Sequence, residues 1–235
     1  MNFIEFLQGL LGLTLALPVL SVGILTLGLV FGFKLTEKRV HQLLAVELSI
    51  AFFSSSFFFV GLLFGWLDPF SVDLGTFLAV GNYDFNLLFH LDLLGSMFLW
   101  LTMTLVGLVG AFSARYLHLD EGFIWFYWLL LAFVIGLEII ATAEGLDFVF
   151  VGWELLGISS ALLIAFFVRR KGPVENGLRA FAAYRITDVG ILCGIVTLHH
   201  LSHTTAISAL GRIESSTALI VGGFFIFGAM GKGAI

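Results

Sequence analysis

The strongest constraint on how this chain folds is a series of seven apolar stretches. They lie near residues 4–33, 42–66, 92–113, 123–142, 146–168, 178–200 and 216–235. A helix needs about 20 mainly apolar residues to cross a lipid bilayer. Of the 235 residues, 60% are hydrophobic and only 11% are charged, whereas soluble domains average roughly 25% charged residues. We therefore predict an all-α integral membrane protein with about seven transmembrane helices.

The basic residues predict the orientation of these helices, because cytoplasmic loops are enriched in Lys and Arg. Alternate linkers place eight basic residues on one side and only Arg212 on the other. The eight are Lys34, Lys38, Arg39, Arg115, Arg169, Arg170, Lys171 and Arg179. This pattern predicts an outside N-terminus and an inside C-terminus, in a bacterial inner membrane or an organelle equivalent.

The linker at 67–91 differs from the others because it is long and contains no Lys or Arg. Its residues alternate in polarity, and Gly81-Asn82 is a typical turn pair. We predict a short β-hairpin in this outside loop, between the second and third helices. The chain then divides into two N-terminal helices (1–66), the hairpin loop (67–91) and five further helices (92–235).

Several functional classes are disfavoured. The net charge is −5 and there is no basic arm, which argues against a nucleic-acid partner. The single cysteine, Cys193, lies in an apolar stretch, so no internal disulfide or cysteine-rich metal site is expected. No residue pattern suggests a ligand set for haem, iron–sulfur clusters or flavin. We expect no cofactor, no metal and no redox chemistry in this chain.

Glu154 is the most informative polar residue because it lies in the middle of the apolar run FVFVGWELLGISSA. A charge at that depth costs roughly 2.5–3.5 kcal/mol on insertion scales. A carboxyl group can take up and release a proton, which a leucine cannot. Position alone favours a functional acid over a structural acid that is bonded to a neighbouring helix.

Two further stretches carry charges within apolar surroundings. Arg185 and Asp188, in AAYRITDVGIL, are three residues apart and share a helix face, so they can pair. Such a pair is either a structural contact or a switch that biases a nearby acid. Lys232 lies between Gly231 and Gly233, which loosen the helix. It is either a proton carrier or a lysine that snorkels to the membrane surface.

Four more residues are weaker candidates. Glu138 and Glu47 are acids within the fourth and second stretches. Glu138 is predicted to face Glu154 across a helix pair, whereas Glu47 is interpreted as a neutral acid near a helix end. His199 and His200, at the outer end of the sixth stretch, are possible accessory residues.

Three motifs occur in order on successive stretches: WELLG, RITDVG and GAMGK. Together they resemble the antiporter-like membrane subunits. These include chain 5 (L) of NADH:quinone oxidoreductase, subunits of multisubunit sodium/proton antiporters, and the membrane subunit of two-component inorganic-carbon uptake systems. HLDLLGSMFLWLT, RYLHLDEG and VENGLRAFAAYR also fit, so the resemblance covers roughly residues 67–235.

The resemblance implies specific roles. Glu154 and Lys232 correspond to the family's glutamate–lysine pair of a proton path, with the lysine on a broken seventh helix. Arg185 and Asp188 correspond to its arginine and aspartate on the sixth helix. The sequence departs from a frequent family pattern at Tyr184, where Asn is common, and at Thr187, where Gly is common. These departures lean toward the carbon-uptake relatives.

Family subunits have about fourteen spans in two inverted repeats, so residues 92–235 are expected to include only the start of a translocation repeat. A second segment or chain is expected to supply the remaining helices. The leading hypothesis is an ion-translocating subunit of a multisubunit membrane complex of the NADH:quinone oxidoreductase type, with protons as the expected ion and Na⁺ as the alternative. The alternatives are the proton-coupling subunit of a bicarbonate or CO₂ uptake complex, and a membrane scaffold without transport.

Overall fold

The computed structural model describes residues 2–32, 35–80 and 83–233, and its described part contains seven helices long and apolar enough to cross a membrane. The helices are α1 (Phe3–Phe31), α2 (Glu37–Leu63), α3 (Leu93–Tyr116), α4 (Phe123–Thr142), α5 (Leu146–Ile164), α6 (Lys171–Ser202) and α7 (Ser215–Gly233). A 3₁₀ helix, Ile207–Arg212, precedes α7. The predicted all-α membrane architecture with seven spans is confirmed.

Two antiparallel strands, β1 (Phe70–Val80) and β2 (Tyr83–Leu91), lie between α2 and α3. They confirm the predicted hairpin, whose proposed Gly81-Asn82 turn lies outside the described residues, as does Lys34. The pairing is supported by a hydrogen bond of 2.7 Å from Thr76 Oγ1 to Asn86 Oδ1.

The contacts divide the chain into two compact units. The first unit comprises Met1–Val72 and His90–Thr142, and the second comprises Asp73–Phe89 and Ala143–Ile235. In the first unit, α1 contacts both α2 and α4. The buried residues of α1 recur every three or four positions, as expected for one helix face: Leu7, Leu11, Thr14, Pro18, Ser21, Leu25 and Gly28. α1 continues through Pro18 as one helix.

In the second unit, the hairpin holds the start of α5. The backbone N–H of Glu144 donates to the carbonyl of Leu88 at 3.0 Å. The ring of Phe148 packs edge-on against Phe89 and Phe85, with centroid distances of 5.3 and 5.9 Å. Aromatic pairs in this geometry contribute about 0.5–1.5 kcal/mol beyond area burial. The first turn of α5 is therefore fixed by the strands.

α6 and α7 form the most intimate helix pair of the second unit, and small residues permit their approach. Gly190 and Gly194, four residues apart, lie on one face of α6 against Phe224 and Phe225 of α7. In lipid, helices associate through such close packing because there is no water to drive apolar surfaces together. This approach brings the sequence around Asp188 close to the end of α7.

A side chain at Gly190 is expected to separate α6 from α7. An added Cβ would lie 2.8 Å from the carbonyl oxygen of Phe224 and 2.6 Å from the ring of Phe227, and the backbone oxygen cannot easily move. We predict that Gly190→Ala destabilises the protein by about 1–3 kcal/mol. Thermal unfolding in detergent measures this. Gly222→Ala is the matched control, because nothing lies within 4 Å of a Cβ there; an equal effect of both substitutions would contradict the packing argument.

Candidate functional site

The four charged residues singled out from the motifs lie together in the second unit. α5 contributes Glu154, α6 contributes Arg185 and Asp188, and α7 contributes Lys232. Arg185 and Asp188 are one helical turn apart, and the glycine contacts bring Lys232 toward the same turn of α6. We call these four residues the charged cluster.

Asp188 is the centre of the charged cluster. Its side chain is only 3% exposed. Its Oδ2 accepts a hydrogen bond of 2.8 Å from Arg185 Nη2, and its Oδ1 accepts one of 2.6 Å from Trp153 Nε1. Lys232 Nζ donates to the same Oδ1 at 3.3 Å. One buried carboxylate thus binds donors from three helices.

Glu154 binds Arg185 directly, through Arg185 Nη1 and Glu154 Oε2. The side chain of Glu154 is 23% exposed and that of Arg185 is 34% exposed, so this end of the cluster is the more accessible one. Arg185 therefore links the two acids, with one guanidinium nitrogen on each. Its Cζ also lies 5.3 Å from the centre of the Phe181 ring, in a cation–π contact.

Lys232 is held at the other end of the cluster. Its side chain is 12% exposed, and Nζ donates to the backbone carbonyl of Trp153 at 2.7 Å. Nζ also lies 4.2 Å from the centre of the Trp153 ring and 5.7 Å from that of Tyr184. These contacts contradict the snorkelling interpretation, since a snorkelling lysine directs its amine to water.

The connectivity differs from the expected glutamate–lysine pair. Among the described residues, Glu154 forms its ion pair with Arg185, and Lys232 forms its ion pair with Asp188. The arginine and aspartate, expected as a separate coupling pair, instead lie between the two proton-path candidates. α7 is also continuous as far as Gly233, so the broken seventh helix implied by the family is not found in the described part of α7.

Two cations and two anions make the charged cluster neutral. Burial of charge is tolerated only where partners replace the lost hydration, and removal of one partner leaves a costly uncompensated charge. The alternation Glu154–Arg185–Asp188–Lys232 provides this compensation across α5, α6 and α7. Neutralising either end is expected to rearrange the remaining pairs.

Gly157 gives the two cations the space to lie against α5. A Cβ at this position would lie 3.1 Å from Lys232 Nζ and 3.5 Å from Arg185 Nη2. Gly157 follows Trp153 by four residues, so both face the same side of α5. The WELLG motif therefore contributes an acid, an indole N–H donor and a small residue to one site. Sequence reasoning identified the acid but not the role of the indole or the glycine.

The accessory candidates lie elsewhere. Glu138 belongs to α4 in the first unit, where its electrostatic neighbour is Glu47, so its predicted facing of Glu154 stays a prediction. His199 lines a cavity of about 240 Å³ together with Glu144 and Asp147, near the start of α5. His200 lines a second cavity of about 460 Å³. Within the described ranges, no group of three His, Cys, Asp or Glu could hold a metal ion.

Comparison with known proteins supports the resemblance seen in the motifs. Residues 143–235, which contain the whole charged cluster, match the family model described as NADH:quinone oxidoreductase/Mrp antiporter, transmembrane. The chain resembles the antiporter-like membrane subunits. It is 30% identical over 189 residues to the chloroplastic NAD(P)H-quinone oxidoreductase subunit 5 of Marchantia polymorpha, which covers 79% of this chain and 27% of that one. It is 26% identical over 231 residues to the NAD(P)H-quinone oxidoreductase chain 5 of Picosynechococcus sp.. That match covers 93% of this chain and 34% of the relative.

The fold is also found in a solved structure, that of the Mrp complex from Dietzia sp. The TM-score is 0.74 at 18% identity, covering 94% of this chain and 23% of that chain. This chain spans about a quarter of the length of several curated relatives, 26% in Yarrowia lipolytica chain 5 and 25% in a Neisseria meningitidis subunit L. The similarity therefore concerns a part of those proteins.

The geometry of the charged cluster predicts that its two acids differ in their contribution to stability. Replacing Asp188 with Asn leaves both Arg185 and Lys232 without their buried anion, and we expect a loss of about 3–5 kcal/mol. Replacing Glu154 with Gln leaves Arg185 paired with Asp188, so we expect about 1 kcal/mol or less. Thermal unfolding of the purified protein in detergent measures both. Equal losses would show that Asp188 is not the centre of the cluster.

Proposed function

We propose that this chain is a proton-translocating, antiporter-like subunit of a larger membrane complex of the NADH:quinone oxidoreductase type. The observation that carries the proposal is the unbroken alternation of acid and base across three membrane helices, from Glu154 through Arg185 and Asp188 to Lys232. The family match over residues 143–235 supports it, because the cluster lies inside the matched segment.

Glu154 would be the group that receives the proton. It is the more exposed acid of the cluster, and a carboxyl loses its charge when it is protonated. Arg185 would then lose one of its two anionic partners and depend on Asp188 alone. A stronger pairing between Arg185 and Asp188 competes with the longer contact of 3.3 Å from Lys232 to Asp188.

Lys232 would be the group that responds. Its remaining interactions are the Trp153 carbonyl and the aromatic faces of Trp153 and Tyr184, which hold the amine in place while its anion is shared. A change at Glu154 thus reaches Lys232 through three successive ion pairs, Glu154–Arg185, Arg185–Asp188 and Asp188–Lys232. One charge moving through a potential of 100 mV corresponds to about 2.3 kcal/mol, which is comparable with the rearrangement of one such pair.

Replacing Glu154 with Gln is expected to lower proton transport at least tenfold, because the amide cannot take up and release a proton. The measurement uses membrane vesicles containing the assembled complex and a pH-sensitive dye. Glu175→Gln is the matched control: Glu175 lies on α6 with a 48% exposed side chain, paired with Lys171 at 3.5 Å. Normal transport in both Glu154→Gln and Lys232→Ala vesicles would favour a structural scaffold.

We expect the chain to be isolated with other membrane subunits. The structural neighbour in Dietzia sp. is described as a complex, and this chain corresponds to 23% of the chain it matches. Mild-detergent purification followed by mass spectrometry of the bound proteins tests this. Electron-transfer subunits among them would support the oxidoreductase type, and a zinc-binding soluble partner would support inorganic-carbon uptake. Isolation as a single chain would contradict the proposal of a complex.

A further inference from the structure

The first unit contains a second pair of buried acids, separate from the charged cluster. Glu47 of α2 is 2% exposed and Glu138 of α4 is 1% exposed. Glu47 is the electrostatic neighbour of Glu138 in this apolar interior. Glu47 lies ten residues inside α2, so the interpretation of it as an acid near a helix end is wrong.

The two carboxyls have few partners for their burial. Ser21 of α1, itself 3% exposed, donates its hydroxyl to Glu47 Oε2. Oε1 of Glu47 and Oε1 of Glu138 have no hydrogen-bond partner among the described residues, although both atoms are buried. A buried polar atom without a partner costs about 1–3 kcal/mol, and more when it is charged. The arrangement therefore needs a species that binds carboxyl oxygens.

No cation of the surrounding helices supplies that species. Glu138 is the only charged residue of α4, and Glu47 is the only charged residue of α2 beyond its first two turns. The other titratable groups of α1, α2 and α3 lie near the helix ends: Glu5, Glu37, Lys38, Arg39, His41, Arg115 and Tyr116. Tyr127 of α4 donates its hydroxyl to the carbonyl of Gly110. The structure records no ion pair between these groups and either acid in the described ranges.

Glu47 belongs to a polar seam between α1 and α2. This seam consists of two contacts seven residues apart on each helix, Ser21–Glu47 and Thr14–Ser54, the latter at 2.7 Å. Trp128 of α4 donates to Thr26 of α1 at 2.8 Å. This bond joins α4, the helix that carries Glu138, to α1.

α1 offers an additional acceptor at Thr14, a residue of the seam. Pro18 has no N–H, so the carbonyl of Thr14 lacks its usual bond within the helix. A protonated carboxyl is a donor as well as an acceptor and can satisfy such a carbonyl. An ionised carboxylate only accepts, and would leave it unsatisfied.

We infer that Glu47 and Glu138 form a second proton-binding site, in which the two acids do not carry a negative charge at the same time. Two ionised carboxylates in one unpaired, buried site repel each other, so at least one holds a proton. The ligand is a proton, since no group of three His, Cys, Asp or Glu residues in the described ranges could hold a metal ion. This inference does not depend on the proposed role of Glu154.

Difference infrared spectroscopy of the purified complex at two pH values tests the site, because a protonated carboxyl has a carbonyl stretching band that a carboxylate lacks. We expect a pH-dependent band in the wild type that is reduced in Glu47→Gln and in Glu138→Gln, and absent in the double variant. Glu154→Gln is expected to keep it, which separates this site from the charged cluster. Glu47→Asp keeps an acid in place and is expected to keep a shifted band.

Three outcomes would overturn the inference. A band that does not respond to pH would show permanently neutral, structural acids. Absence of any band from these residues would show two carboxylates paired with a cation. Loss of the band on addition of sodium chloride at constant pH, with potassium chloride as the control, would show a sodium site. If Glu154→Gln stops transport and keeps the band, the proposed function is supported separately from this site. If Glu154→Gln transports normally while the Glu47 and Glu138 variants lose the band, this site is supported and the proposed function is not.

Discussion

The structure depends on the neutralisation of charge in an apolar interior. Asp188 is the residue through which this occurs in the second unit, since its two oxygens accept from Trp153, Arg185 and Lys232. Each donor comes from a different helix, α5, α6 and α7 respectively. A carboxylate with three donors is stabilised strongly enough to remain buried, and in turn it fixes the relative positions of the helices.

This electrostatic requirement determines where small residues are needed. Ion pairs between helices are short only if the backbones approach closely, and Gly157, Gly190 and Gly231 lie on the helix faces around the cluster. A Cβ at Gly231 would collide with Thr187, one residue before Asp188. The family's frequent glycine at position 187 is thus replaced by a threonine that packs on a glycine of α7. Close packing of the helices and pairing of the charges therefore depend on the same small residues.

The sequence was sufficient to predict elements whose formation depends on local composition. The seven spans and the hairpin followed from apolar length and alternation, and Glu154 and the Arg185–Asp188 pair followed from the cost of buried charge. Lys232 was singled out by the resemblance of its motif to the family. The ends of helices were less well predicted, since α6 begins at Lys171 and not near 178. The length of an apolar stretch reflects the thickness of the apolar core of the membrane. The helix itself continues into the polar region as long as the residues there favour helical structure.

The partners of each charge were not predictable in the same way. The distance between Glu154 and Lys232 in three dimensions depends on the rotation and register of α5 against α7, which no single-helix pattern contains. The same limit applies to Glu47 and Glu138, whose neighbourhood depends on the register of α1 against both α2 and α4. An acid in an apolar run must have a compensating partner or a proton, and for Glu154 Arg185 is that partner. Glu154 therefore belongs to an ion-pair network, whereas Glu47, whose hydrogen-bond partner among the described residues is Ser21, is the acid for which we propose a bound proton.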